Sequence, residues 1–123
     1  MAIKAATPRD TDTIIFGAGI PNYYTWWKSF EPNFDPSSEA PDDWRYTVTA
    51  EHPKDEQATV TKEIGHTDLM RAVRVVARKD SGHRETLRKE CNNLIFNVDE
   101  CDMDASDADV VLQLAVYGEV IFG

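Results

Sequence analysis

The sequence predicts an α+β protein in which an N-terminal antiparallel sheet of about four strands is followed by two or three C-terminal helices. Apolar and polar residues alternate with a period of two in the first half of the chain, whereas apolar stripes at helical spacing occupy the second half. The strand-like segments do not alternate with the helical ones, which favours α+β over a doubly wound sheet. The 123 residues suit a single domain, taken as residues 1–123.

Four segments of the first half are predicted strands: 13–16, 23–30, 44–51 and 58–64. The clearest is 44–51, where Trp44, Tyr46, Val48 and Ala50 share one face, as in a half-buried antiparallel strand. Residues 52–55 form the turn that follows it. The segment 31–43 contains three prolines and five acidic residues, which predicts an exposed loop.

Three helices are predicted in the second half of the chain. The first runs from a Thr67 cap to about residue 79, and the second covers about 84–96. The third begins at Asp104 or Ser106 and ends near Gly118. Residues 110–117 are apolar on nearly all sides, so this helix is expected to be buried in the protein or against a partner. Residues 119–123 are expected to return as an edge strand.

The charge of the chain restricts its partners. The formal net charge is -9, which argues against direct binding to nucleic acid or to anionic lipid. The distribution is uneven, because residues 62–89 hold eight basic and four acidic residues, a net of +4, and the remainder carries -13. No run approaches the ~20 apolar residues of a membrane span. Residues 1–10 lack an apolar signal core. We therefore expect a cytoplasmic protein without membrane contact, with Cys91 and Cys101 as reduced thiols.

Two motifs resemble ligand-binding loops in part. Gly17 and Gly19 follow an apolar run, as in a dinucleotide fingerprint, but the third glycine is replaced by Asn22. Within the acidic run 99–109, three residues match the first ligand positions of an EF-hand loop: Asp102, Asp104 and Ser106. The turn glycine and the closing glutamate of that loop are missing. The prediction is therefore an acidic helix start without a specific metal site, and weak cation binding stays open.

Candidate binding residues come from three features. The aromatic residues are concentrated in 23–34, and since neighbours on a strand face opposite sides, Trp26 and Trp27 are not expected to enter the same core. One of them then anchors an interface, or helices and the long loop cover it. The acidic loop and an arginine stripe are the other features, and the stripe either holds phosphate or an acidic partner or is solvated. The interface candidates are Tyr24, Trp26, Trp27, Phe34, Asp35, Asp42, Asp43, Arg71, Arg74 and Arg78.

The end of the chain, Asp107-Ala108-Asp109-Val110-Val111-Leu112-Gln113-Leu114-Ala115-Val116-Tyr117-Gly118-Glu119-Val120-Ile121-Phe122-Gly123, resembles the tails of small uncharacterised accessory proteins from phages of actinobacteria. The segment Tyr24-Thr25-Trp26-Trp27 after a glycine turn is similar too. The resemblance covers about a quarter of the chain. It implies a virus-encoded accessory protein, and such proteins often act by binding a host protein.

The leading functional hypothesis is a non-enzymatic protein that binds a host protein, for example a phage-encoded inhibitor of a host or defence protein. One version is a nucleic-acid mimic whose carboxylates occupy a basic groove. An alternative is a structural or assembly subunit that forms a homo-oligomer through residues 110–117. Another is a small enzyme of unknown class that uses His66, His83, Cys91 or carboxylates. No catalytic residue, metal or cofactor is predicted, because no spacing of these groups matches a known site.

Overall fold

The computed structural model describes residues 3–123. Helix α1 (Pro8–Ile15) and two short 3-10 turns (Phe16–Ala18 and Ile20–Asn22) precede strands β1 (Trp27–Pro32), β2 (Arg45–His52) and β3 (Asp55–Gly65). Helices α2 (His66–Ala77) and α3 (Glu85–Phe96), a 3-10 turn (Val98–Glu100) and helix α4 (Ala105–Tyr117) follow. The α+β class is confirmed, but the sheet has three strands rather than about four and one helix precedes it.

The predicted strand 13–16 is wrong, because these residues form the end of α1 and the start of a 3-10 turn. The start of α1 is well specified. Thr7 and Asp10 form a capping box, and Pro8 takes the first helical position. A four-residue apolar run is compatible with a helix end or with a short strand, so periodicity alone could not decide between them.

The sheet is an antiparallel meander of order β1-β2-β3. The alternation predicted for 44–51 is confirmed: Val48 and Ala50 have no exposed surface, and Ile64 of β3 joins them on the inner face. The outer face is polar, because Thr49 pairs with Thr61 and Thr47 with Glu63. The predicted strand 23–30 begins later than expected, since residues 20–22 form a 3-10 turn and β1 starts at Trp27.

The three C-terminal helices are confirmed, with corrections at their ends. Helix α2 is capped at Gly65 rather than at Thr67, and the side chain of Asp68 accepts a hydrogen bond from the N–H of Gly65 at 2.9 Å. Asp104 caps α4 through a capping box with Asp107. Gly118 ends α4 in the left-handed region at φ 79°. The edge strand predicted for 119–123 is absent from the described structure, because these residues join no strand ladder.

Helices α1 and α4 are hydrogen-bonded to opposite ends of the β2 segment. At one end, the Trp44 indole donates to the backbone oxygen of Pro8 at 2.5 Å, and the Tyr46 hydroxyl donates to Asp12 at 2.5 Å. At the other end, the Tyr117 hydroxyl donates to the backbone oxygen of Glu51 at 2.6 Å. Helix α4 therefore buries its apolar sides within this chain, since Ala108, Val111 and Leu112 have no exposed surface.

Both cysteines are free, with Cys91 buried and Cys101 half-buried. Burial raises the pKa of the Cys91 thiol to about 12 and that of Cys101 to about 11. Both thiols therefore stay protonated, and poorly nucleophilic, at neutral pH. Between residues 3 and 123 no helix combines the length and the apolar character that crossing a membrane requires.

His66 ties α2 to α1 and makes stability depend on pH. Its Nδ1 lies 2.8 Å from the hydroxyl of the buried Thr11. Burial, and then the charge of Arg74, lower the pKa of His66 below 6.5. The neutral ring therefore contributes stability that is present above pH 6.5 and is lost as the pH falls through the lowered pKa of the folded state.

We expect the free energy of unfolding of the wild type to fall more than that of His66→Asn when the pH is lowered from about 7.5 to about 5.5. The asparagine keeps a polar side chain at the position but does not titrate. Urea titrations of both proteins at several pH values measure the difference. All other ionisable groups are the same in the two proteins, so the comparison isolates position 66. A difference that stays constant with pH would contradict the assignment.

Candidate binding site

A cleft of about 300 Å³ lies between β3, α2 and the C-terminal end of α4. Its apolar lining comes from Ala72, Val75, Leu114 and Ala115. Three charged side chains complete it: Lys62, Asp68 and Arg71. Among residues 3–123, Val75 is one of five large apolar residues that are exposed, at 38%. The cleft thus combines an open apolar surface with two cations and one carboxylate.

Lys62 is held in the cleft by its position in the sheet. It pairs with Val48 of β2, and it therefore stands on the inner face between Val60 and Ile64. Its Nζ donates a hydrogen bond to the backbone oxygen of Ala115 at 2.9 Å. A cation is favoured there, because the carbonyl groups at a helix C-terminus carry partial negative charge. The ammonium is therefore fixed at the cleft before any ligand arrives.

The carboxylate of Asp68 is shared among several local partners. It accepts from the Gly65 N–H, and it lies 3.6 Å from both Arg45 and Arg71 in ion pairs. Arg71 remains largely exposed, so its guanidinium can still reach a ligand. The net charge of the cleft is positive, since Lys62 and Arg71 face one carboxylate.

The predicted arginine stripe continues from the cleft along α2. Arg74 and Arg78 are exposed, and within residues 3–123 neither forms an ion pair. Arg71 and Arg74 are neighbours on the outer side of α2 because they are three residues apart, whereas Arg78 lies just past the helix, at its C-terminal cap, with an extended backbone. The structure therefore brings this predicted stripe together with a cleft that the sequence did not reveal.

The tryptophans are placed differently from the prediction. The Nε1 groups of Trp26 and Trp27 both donate to Oδ1 of Asp109, at 2.8 and 2.7 Å. The expectation that the two side chains cannot enter one core is thus wrong, because Trp26 precedes β1 and the register shifts between Trp27 and Ser29. Trp27 is 4% exposed, so its side chain offers no surface to a partner in this structure.

Gln113 extends the Asp109 cluster to the last residues of the chain. Its Nε2 donates to the other oxygen of Asp109 at 2.9 Å, and its Oε1 accepts from the N–H groups of Ile121 and Phe122. The ring of Phe122 stacks on Trp26 with centroids 5.3 Å apart. The segment 119–123 and helix α4 therefore cover the aromatic surface that was a candidate interface.

The remaining interface candidates are separated in the structure. Tyr24 is half-buried and stacks on Trp26 at 4.9 Å, and Phe34 packs edge-to-face on Tyr46 at 5.7 Å. The loop carboxylates Asp35, Asp42 and Asp43 are exposed. Hydrogen bonds from the side chain and the backbone of Ser37 lower the pKa of Asp35. None of these five residues lines the cleft.

The groups considered for catalysis are not assembled at the cleft, which His66, His83 and Cys91 do not line. No group of three or more metal-ligating side chains was found in the range 3–123. The acidic run 99–109 instead supplies structural contacts. Asp104 caps α4, Asp99 pairs with Lys4 at 2.8 Å, and Asp107 pairs with Arg84. The prediction of an acidic helix start is confirmed by these contacts.

Sequence reasoning missed four residues that shape these sites, namely Lys62, Val75, Asp109 and Gln113. Two of them carried a readable signal. Lys62 is a charged residue at an inward position of an alternating strand, and Gln113 is a polar residue inside an apolar helical run. A charge at an inward strand position, or an amide inside an apolar helix, needs a specific partner, so both positions indicated a contact of importance. Val75 and Asp109 carried no comparable signal.

Comparisons of this chain with models of known protein families, with curated proteins and with solved structures found no match.

Replacing Asp109 tests how far the fold depends on its carboxylate. In Asp109→Ala, three donors that point into a buried site lose their acceptor, and we expect a loss of about 3 kcal/mol or more in the free energy of unfolding. Asp109→Asn keeps an oxygen for the indoles but turns an amide towards Gln113, so a smaller loss of about 1–2 kcal/mol is expected. Urea unfolding followed by circular dichroism measures both values.

Asp42→Ala is the matched control, because it removes an exposed carboxylate from the loop and should change stability by less than about 0.5 kcal/mol. Equal stability of Asp109→Ala and Asp42→Ala would show that the three hydrogen bonds contribute nothing net.

Proposed function

We propose that this protein is a non-enzymatic binding protein that captures an acidic segment of a partner protein in the cleft between β3, α2 and α4. The observation that carries the proposal is the pairing of a basic rim, Lys62 and Arg71, with an exposed apolar surface at Val75. A peptide with a carboxylate beside an aliphatic or aromatic side chain matches both parts. The resemblance to phage accessory proteins makes a host protein the expected partner.

The size of the cleft supports a short peptide segment. Its volume of about 300 Å³ is at the lower end of small-molecule pockets and suits one or two side chains. Arg74 lies beyond the cleft on the same helix and Arg78 lies at its C-terminal cap, where they can contact further acidic residues of the partner. The anchor side chain would supply most of the affinity, and the arginines would orient the partner.

The charge distribution also supports an acidic ligand. Outside residues 62–89 the chain carries a net charge of -13, so a basic partner would have many acidic surfaces to choose from. An acidic partner, in contrast, is repelled by most of the molecule and attracted by one face. Like-charge repulsion elsewhere therefore restricts such a partner to the α2 face.

Residues 110–117 give less support to a homo-oligomer than to internal packing, because Val111, Leu112 and Ala115 are buried within the chain. The capture of an acidic partner accounts for both the basic rim and the exposed apolar surface of the cleft, and a homo-oligomer through residues 110–117 does not.

A random dodecapeptide display library provides a direct test of ligand chemistry. We expect the selected peptides to share an Asp or Glu within two residues of Leu, Ile, Val or Phe. Their affinity should fall several-fold between about 50 mM and about 300 mM salt, since exposed charges are screened. Selected peptides rich in Lys and Arg would contradict the proposal.

Variants of the cleft show whether the selected peptides bind there. We expect Val75→Asp to weaken binding at least about tenfold, because it places a carboxylate in the apolar part, and Arg71→Ala to weaken it about three- to tenfold. Lys54→Ala is the matched control, since it removes an exposed cation from the β2–β3 turn and should leave binding unchanged. Equal effects of Lys54→Ala and Arg71→Ala would indicate a non-specific charge effect and would refute the site.

A further inference from the structure

The last five residues of the sequence occupy a groove that is separate from the cleft. The groove is formed by Gln113 and Tyr117 of α4 and by Trp26 before β1. Gln113 has no exposed surface, and its position is fixed by the buried Asp109. One wall of the groove is therefore held from the core side by Asp109 as well as by the segment itself.

Gln113 recognises the occupant through its backbone. Its Oε1 accepts from the Phe122 N–H at 2.9 Å, and its Nε2 donates to the Phe122 carbonyl at 3.0 Å. This pairs both backbone groups of one residue, as a neighbouring strand does. The Ile121 N–H adds a third bond to the same Oε1 at 2.8 Å. These contacts are independent of the side chains of the occupant.

The aromatic walls provide the selectivity that the backbone contacts lack. The Phe122 ring stacks on Trp26 with an interplanar angle of 13°, and it meets Tyr117 edge-on at 5.9 Å between centroids. Such pairs favour an aromatic side chain over an aliphatic one of similar area. The groove is therefore specific for an aromatic residue in a backbone that presents two successive N–H groups.

The segment 119–123 is joined to the fold by few contacts. Within residues 3–123 it forms no backbone–backbone hydrogen bond, and its hydrogen bonds are those with Gln113. Gly118 ends the helix, and the connecting residues Glu119 and Val120 are exposed. The segment can therefore leave without breaking a helix or a strand ladder, and its departure costs the hydrogen bonds to Gln113 and the aromatic contacts of Phe122.

Departure of the segment would leave Gln113 without its backbone partners and would uncover Trp26 and Tyr117. The emptied groove would then expose the Gln113 amide beside two aromatic side chains, which matches a backbone segment of the same geometry that carries an aromatic residue. We propose that this groove is a peptide-binding site whose resident segment is exchangeable, and that its ligand is a partner peptide with an aliphatic–aromatic pair in the places of Ile121 and Phe122.

The test uses the full-length chain with Phe122→Ala, which weakens the resident segment and leaves the groove intact. The probe is a fluorescein-labelled synthetic peptide of residues 118–123, followed by anisotropy. We expect saturable binding to Phe122→Ala that is at least tenfold tighter than binding to the wild type, because the wild-type segment competes at high effective concentration. The same peptide with its phenylalanine replaced by alanine is the matched control and should not bind.

Three results would overturn the proposal: no saturable binding to Phe122→Ala, equal affinity for wild type and variant, or equal binding of the control peptide. Adding Gln113→Met to the variant should abolish binding, and the peptide control keeps the test valid if that double variant does not fold. The affinity should change little with salt, and Val75→Asp should leave it unchanged. Failure here is thus distinguishable from failure of the cleft.

Discussion

The carboxylate of Asp109 is the contact on which the arrangement of the other elements depends. It receives hydrogen bonds from two consecutive tryptophans and from Gln113, at 2.7–2.9 Å. One buried side chain thereby joins the entry of β1 to the middle of α4 and, through Gln113, to the end of the chain. Burying a carboxylate is costly unless donors surround it, and the three donors supply that compensation. With α4 held in this register, Leu114 and Ala115 face Lys62 across the cleft.

Local signals were sufficient for the elements whose pattern is long or capped. The period of two in 44–51 and the apolar stripes of α2 and α3 extend over eight or more residues, and Asp104 marked the start of α4. The run 13–16 is too short for periodicity to distinguish strand from helix. Its helical conformation depends on the start of α1, where Thr7 and Asp10 form the capping box. The end of the chain was predicted from propensity, but a tertiary contact with Gln113 decides its conformation.

The candidate sites were predictable only in part, because both depend on residues that are distant in sequence. The neighbouring positions of Arg71 and Arg74 follow from helical spacing within α2 and needed no tertiary information, whereas α2 ends before Arg78. The cleft beside it is formed by β3, α2 and α4, and no local sequence pattern indicates that Lys62 and Leu114 are neighbours. The pairing of Trp26 and Trp27 with Asp109 spans more than 80 residues. Strict alternation predicted opposite faces for the tryptophans, whereas the irregular start of β1 turns both towards one carboxylate.

The outer face of the sheet is polar, so the two sides of the molecule differ in their surface chemistry. Thr47, Thr49, Thr61 and Glu63 leave no apolar surface there for a second sheet or helix to cover. The hydrophobic core therefore lies on the inner face of the sheet, where the helices pack, and does not extend to the outer face. A linker or dye attached through this threonine surface would point away from the cleft and the groove. The protein could thus be immobilised in one orientation with both sites open to solution.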